Sequence, residues 1–106
     1  MDNIYTEFGK RFKELREANR MTQDQLAECI GVEARQISRI ETGKCFTTLD
    51  NLKKISSIFN VEIKDMFNFS HFKEKNELIK MVTIMLENAS EEDCRKIFKI
   101  IKELLY

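Results

Sequence analysis

Arg35 and Arg39 stand four residues apart in the run VEARQISRIETGK, with Ser38 and Thr42 between and beyond them. On an isolated helix two arginines at this spacing repel each other mildly. Against the major groove of a DNA duplex the same pair finds matching chemistry. Guanine O6 and N7 accept a bidentate guanidinium, worth about 1–3 kcal/mol of discrimination per pair. At about 100° per residue, Ile37 and Ile40 fall within roughly 60° of each other, while Arg35, Ser38, Arg39 and Thr42 lie roughly 100–200° away from Ile37. The isoleucines are expected to face a core and the polar strip to face outward. No catalytic arrangement competes with this one. The chain has no glycine-rich phosphate loop and no nucleophile beside a base. Its only histidine, His71, has no cysteine, aspartate or second histidine near it and reads as a linker residue. Cys29, Cys45 and Cys94 are far apart and odd in number, which suits neither zinc nor a disulfide framework. We therefore expect no enzyme, no metal and no cofactor.

A pair of arginines is useful only if an element holds it rigidly. Thr22-Gln23-Asp24-Gln25 has capping-box form, so a helix is expected to start at Gln23, with Leu26, Ala27 and Ile30 on its apolar side. Gly31 stands where the chain must leave that helix with positive φ. A second helix follows, roughly Glu33 to Thr42, and Gly43 ends it. The unit reads as a helix-turn-helix with the arginine strip on its second helix.

Residues from about Phe8 to Phe67 resemble the Cro/CI-type (XRE) helix-turn-helix family of bacterial and phage regulators. The matching text is Thr22-Gln23 with Leu26-Ala27, then Gly31-Val32, Ile37-Ser38-Arg39-Ile40-Glu41, Gly43-Lys44, and Leu49 with Leu52. The resemblance implies an all-α, five-helix, lambda-repressor-like DNA-binding domain. It places Ala34, Arg35 and Arg39 at base-facing positions with Gln36 and Ser38 beside them. It assigns Gln23, Thr42 and Lys44 to DNA phosphates, and pairs Glu41 with Arg16 in an internal salt bridge. The chain departs from the family pattern at Glu33, at Cys45 and at Thr47, where a proline is common. Ala34 offers only apolar contact, such as to a thymine methyl.

The remainder of the 106 residues supports that architecture. There is no proline and there are only three glycines, with hydrophobic residues at 42% and charged ones at 34%, a helical mixture. No run of about 18 apolar residues and no signal peptide is visible, so a soluble cytoplasmic chain without membrane contact is expected. A first helix over residues 4–20 has Ile4, Phe8, Phe12 and Leu15 as its core stripe, with Tyr5 beside them. A fourth is expected after a Thr47–Asp50 cap, with Leu49, Leu52, Ile55, Ile58 and Phe59 inward and Asn60 as a left-handed end. A short helix around Lys64 to Phe67 closes the first domain, residues 1–68. Cys29 and Cys94 are expected in the core and Cys45 in a loop.

After a linker at Asn68–His71, residues 72–106 read as a helical hairpin, one helix running from about Phe72 to Asn88 and another, capped by Ser90, to about Leu105. Its apolar residues cover about 220° of the first helix and about 160° of the second, where one core needs about 100°. Leu78, Met81, Val82, Met85, Ile97, Phe98, Ile101, Leu104 and Leu105 are therefore expected at a homodimer interface. Formal net charge is zero, and residues 1–67 and 68–106 are each balanced, so affinity for phosphate must come from a focused face or from two such faces. The expected activity is sequence-specific binding of double-stranded DNA at an inverted repeat, regulating transcription, as a repressor. The alternative is a protein-interaction module, an antitoxin or adaptor whose hairpin captures an antagonist or toxin protein.

Overall fold

The computed structural model describes residues 3–106, and these are helical throughout, with no strand among them. In chain order the helices are α1 (Ile4–Ala18), α2 (Gln23–Ile30), α3 (Ala34–Glu41), α4 (Leu49–Phe59), α5 (Ile63–Met66), α6 (Lys75–Glu87) and α7 (Glu91–Leu105), with a 3-10 turn over Ser70–Phe72. The chain divides into two compact units, with the boundary in sequence between Phe72 and Lys73.

Local chemistry explains most boundaries. The Thr22 hydroxyl accepts from the Gln25 amide at 3.1 Å and the Gln25 side chain accepts from the Thr22 amide at 2.9 Å, a complete capping box at the start of α2. Gly31 ends α2 at φ +77° and donates to the Ala27 carbonyl. Asn60 ends α4 at φ +55°, and Ser90 caps α7 through the Asp93 amide. α1 stops two residues earlier than the expected range, because Asn19 closes it and Arg20 turns left-handed at φ +56°.

The first unit encloses one core. Phe8, Phe12, Leu26, Ile37, Ile40, Ile55 and Met66 are fully covered. Phe12 meets Phe59 edge-on with centroids 5.8 Å apart, and Phe8 meets Phe46 at 4.7 Å. Gly9 lets α1 approach the end of α3: a Cβ there would stand 2.5 Å from the Ile40 carbonyl oxygen and 2.6 Å from that of Glu41.

Several expected core positions lie outside it. Ile4 and Leu49 are 58% and 67% exposed, since each opens its helix and periodicity does not say where the covering layer ends. Cys29 is exposed; it falls about 60° outside the Leu26–Ala27 arc of α2. The α4 cap is Thr48, which accepts from the Asn51 amide at 3.2 Å, rather than Thr47. Thr47 is instead buried, its hydroxyl without a partner among the described residues. The expected linker is structured, because Phe69 packs against the core and Ser70–Phe72 turns, which delays α6 from Phe72 to Lys75.

The second unit, Lys73–Tyr106, consists of α6 and α7 joined by the short connection 88–90, with no buried residue. The Cys94 thiol donates to the Leu86 carbonyl at 3.4 Å, and Cys94 is half-buried rather than core. Met85, Phe98, Leu104 and Leu105 are each at least 66% exposed, and Met81, Val82 and Ile101 are exposed as well. Leu78 and Ile97 are half-buried.

Candidate nucleic-acid interface

The expected opposition of faces on α3 is present for three of the four polar residues, with Ser38 half-buried rather than exposed. Ile37 and Ile40 are buried, whereas Arg35, Arg39 and Thr42 are exposed. Ala34, Gln36 and Ser38 are half-buried around them. Neither guanidinium has an ion pair or side-chain hydrogen bond with a described residue, so both are available to acceptors outside the chain. The C-terminal end of α3 is closed by its own backbone, as the Lys44 amide donates to the Arg39 carbonyl at 2.9 Å. The Lys44 side chain remains exposed one residue past Gly43, whose φ is +76°. The Thr42 hydroxyl donates back to the Ser38 carbonyl at 3.0 Å, leaving its lone pairs outward-facing acceptors rather than phosphate donors.

Beneath this face lies a buried charged pair. Arg16 Nε donates to Glu41 Oε2 at 2.6 Å and Nη2 to Oε1 at 3.1 Å, a bidentate fork, while Nη1 donates to the Met21 carbonyl at 2.7 Å. Both residues are more than nine-tenths covered. The hydrogen bond to Glu41 outweighs burial and holds the Arg16 guanidinium above its already high pKa. The fork ties α1 to the last residue of α3, so α1 sets the height of the face that carries Arg35 and Arg39.

Gln23, expected at a phosphate, is drawn into the same cluster, its Nε2 donating to Glu41 Oε1 at 3.0 Å. That bond orients the head of α2 and leaves the Gln23 carbonyl and one N–H unused.

His71 is more than a linker residue. Its Nε2 lies 2.7 and 2.9 Å from the two Glu14 carboxylate oxygens, and Arg11 also binds Glu14 while its Nε donates to the Asp65 carbonyl at 3.0 Å. Burial raises the Glu14 pKa, but the hydrogen bonds from Arg11 and His71 together with their charges more than reverse this, so it sits below its ordinary 4.5. No local sequence signal could have revealed partners 57 residues apart. Among the described residues no three histidines, cysteines or acids converge on a metal position.

Comparison with known proteins meets this geometry at the same residues. A family model described as a helix-turn-helix domain matches residues 9–68. The chain is 31% identical over 99 residues to the HTH-type transcriptional activator BcrR of Enterococcus faecalis, a match covering 93% of this chain and 44% of that protein. It is 34% identical over 70 residues to the control protein C.BamHI of Bacillus amyloliquefaciens, covering 65% and 86% of the two chains. Among solved structures, the SinR protein/SinI protein complex superposes with a TM-score of 0.57 at 25% identity, covering 90% of this chain and 94% of that one. The chain thus spans less than half of the Enterococcus protein and most of the other two.

Proposed function

Because the chain belongs to the helix-turn-helix family of XRE-type transcriptional regulators, we propose that it binds an inverted-repeat operator as a homodimer and represses transcription by occupying a promoter. The observation that carries this reading is the exposed, unpaired guanidinium pair of α3, opposite Ile37 and Ile40. Arg35 and Arg39 read guanines in the major groove, with Ala34, Gln36 and Ser38 against neighbouring base edges. Lys44 and the free N–H of Gln23 hold the phosphates that set register, and Thr42 joins them only when its hydroxyl turns away from the Ser38 carbonyl it donates to. The Arg16–Glu41 pair is structural. DNA as ligand places the protein in the cytoplasm, and no helix among the described residues is long and apolar enough to cross a membrane. The reading gives the chain no catalytic role.

Dimerisation supplies what each neutral protomer lacks. Two recognition helices related by a two-fold axis enter major grooves one helical turn apart and double the positive surface offered to phosphate. The uncovered apolar residues of α6 and α7, among them Leu78, Met81, Val82, Met85, Ile97, Phe98, Ile101, Leu104 and Leu105, form the interface in this reading. Burying them is worth about 25 cal/mol per Å².

Selection from random DNA with the purified chain tests the proposal. An enriched inverted repeat is expected, and Arg35→Ala or Arg39→Ala should each relax preference at one position per half-site by about 1–3 kcal/mol. Lys44→Ala should weaken all sites evenly and lower the salt slope by about one. No enriched sequence would end the reading. The same uncovered hairpin favours a second reading, a surface that captures an antagonist or toxin protein; the matching solved structure is itself a complex of two proteins. A stable dimer in solution with no co-purifying partner would count against it.

A further inference from the structure

Glu33 stands at the N-cap of α3, two residues before Arg35. N-caps are ordinarily short side chains whose oxygen folds back onto the second or third amide of the helix. Glutamate is a methylene longer than aspartate, and here its side chain makes no cap hydrogen bond. The side chain is exposed and has no ion pair or hydrogen bond with another described residue, while the Glu33 carbonyl accepts from the Gln36 amide at 2.9 Å. Its charge suits the helix dipole, yet on a face built for DNA a carboxylate near phosphate is repelled. The place where such a group gains is a base edge that offers a donor without an adjacent acceptor. In the major groove that edge is cytosine, whose N4 amino group donates; adenine sets its N7 acceptor beside the N6 donor, and guanine and thymine present acceptors. The leading end of a recognition helix is the part that reaches base edges.

Resting on the DNA-binding reading above, we infer that Glu33 is a specificity-determining residue that accepts a hydrogen bond from N4 of a cytosine adjoining the base read by Arg35. It also acts by exclusion: guanine and thymine face the carboxylate with acceptors, and adenine sets its N7 acceptor beside the one donor it offers. The residue trades general affinity for discrimination. That trade is consistent with a chain whose formal net charge is zero.

The test is selection from random DNA with the full-length wild type, Glu33→Gln and Glu33→Ala, read position by position. Glu33→Gln keeps the shape of the side chain, and circular dichroism checks that both variants retain the wild-type helix content. The wild type should enrich a cytosine at one position of each half-site. Glu33→Ala should lose that preference by about tenfold, with the other positions unchanged and non-specific binding tighter. Glu33→Gln should move the preference toward adenine, which pairs with both ends of an amide. If both variants keep the wild-type preference everywhere and only bind all DNA more tightly, Glu33 merely repels phosphate and the inference is overturned. An even loss across the whole site overturns it too, since the helix has then shifted. A wild type that enriches no sequence overturns the DNA-binding reading itself, and this inference with it; a wild type with a clear site but an unmoved cytosine overturns only the inference.

Discussion

Glu41 accepts from Arg16 twice and from Gln23 once, and all of this happens under the surface that carries Arg35 and Arg39. The two kinds of arginine obey different energetics. Removing one member of a buried pair strands the other, so Glu41→Ala should cost about 3–5 kcal/mol of stability, read as a lower urea midpoint. Arg35→Ala removes an exposed side chain without a partner and should leave the midpoint within about 0.5 kcal/mol. A Glu41→Ala protein as stable as the wild type would mean that the fork contributes nothing. Glu14 gives a pH test at the same scale. Its folded pKa is depressed below 4.5, so its stabilising contribution is present above that value and is lost as pH falls through the folded pKa. The side chain is 39% exposed, which screens the effect and keeps it small. The wild type should exceed Glu14→Gln in stability at about pH 6, and the gap should close toward about pH 3; a gap that is independent of pH would contradict the assignment.

α1 and α3 touch backbone to backbone, which only Gly9 permits. A methyl group there meets two carbonyl oxygens at 2.5 and 2.6 Å, and neither can swing aside. Gly9→Ala should therefore cost about 1–3 kcal/mol through overpacking, although alanine is the better helix former. Because the displaced carbonyls belong to Ile40 and Glu41, DNA affinity should fall with it. Gly31→Ala is the control: nothing lies within 4 Å of the added methyl and the cost is that of the left-handed backbone alone, about 1–2 kcal/mol. A Gly9→Ala protein with unchanged melting temperature would show that the helices can part freely.

The two units of the chain are unequal. Every buried side chain belongs to the first, while the hairpin presents Phe98 at 66% and Leu104 at 79% exposure. A pair of amphipathic helices with this much uncovered surface is an incomplete object in water. If the proposed homodimer forms through these helices, Phe98→Glu with Leu104→Glu should place like charges across its two-fold interface and shift the protein from dimer to monomer in sedimentation. Binding to an inverted repeat should then drop steeply, while circular dichroism keeps the signature of the first unit. A dimer that survives both substitutions would move the interface elsewhere.

The sequence by itself determined what depends on neighbours within a turn or two. The Thr22–Gln25 box, the left-handed Gly31 and Asn60, the Ser90 cap and the opposition of Ile37 and Ile40 to Arg35 and Arg39 are properties of local dihedrals and helical period. The Arg16–Glu41 pair was legible only through family resemblance, because its members stand 25 residues apart. The tertiary structure alone decided that Gln23 joins that pair, that His71 lies against Glu14, that Gly9 must lack a side chain, that Thr48 rather than Thr47 caps α4, and that Ile4, Cys29 and Leu49 are exposed. Each of these turns on which distant segment lies across a given turn of helix, and helical period carries no information about that.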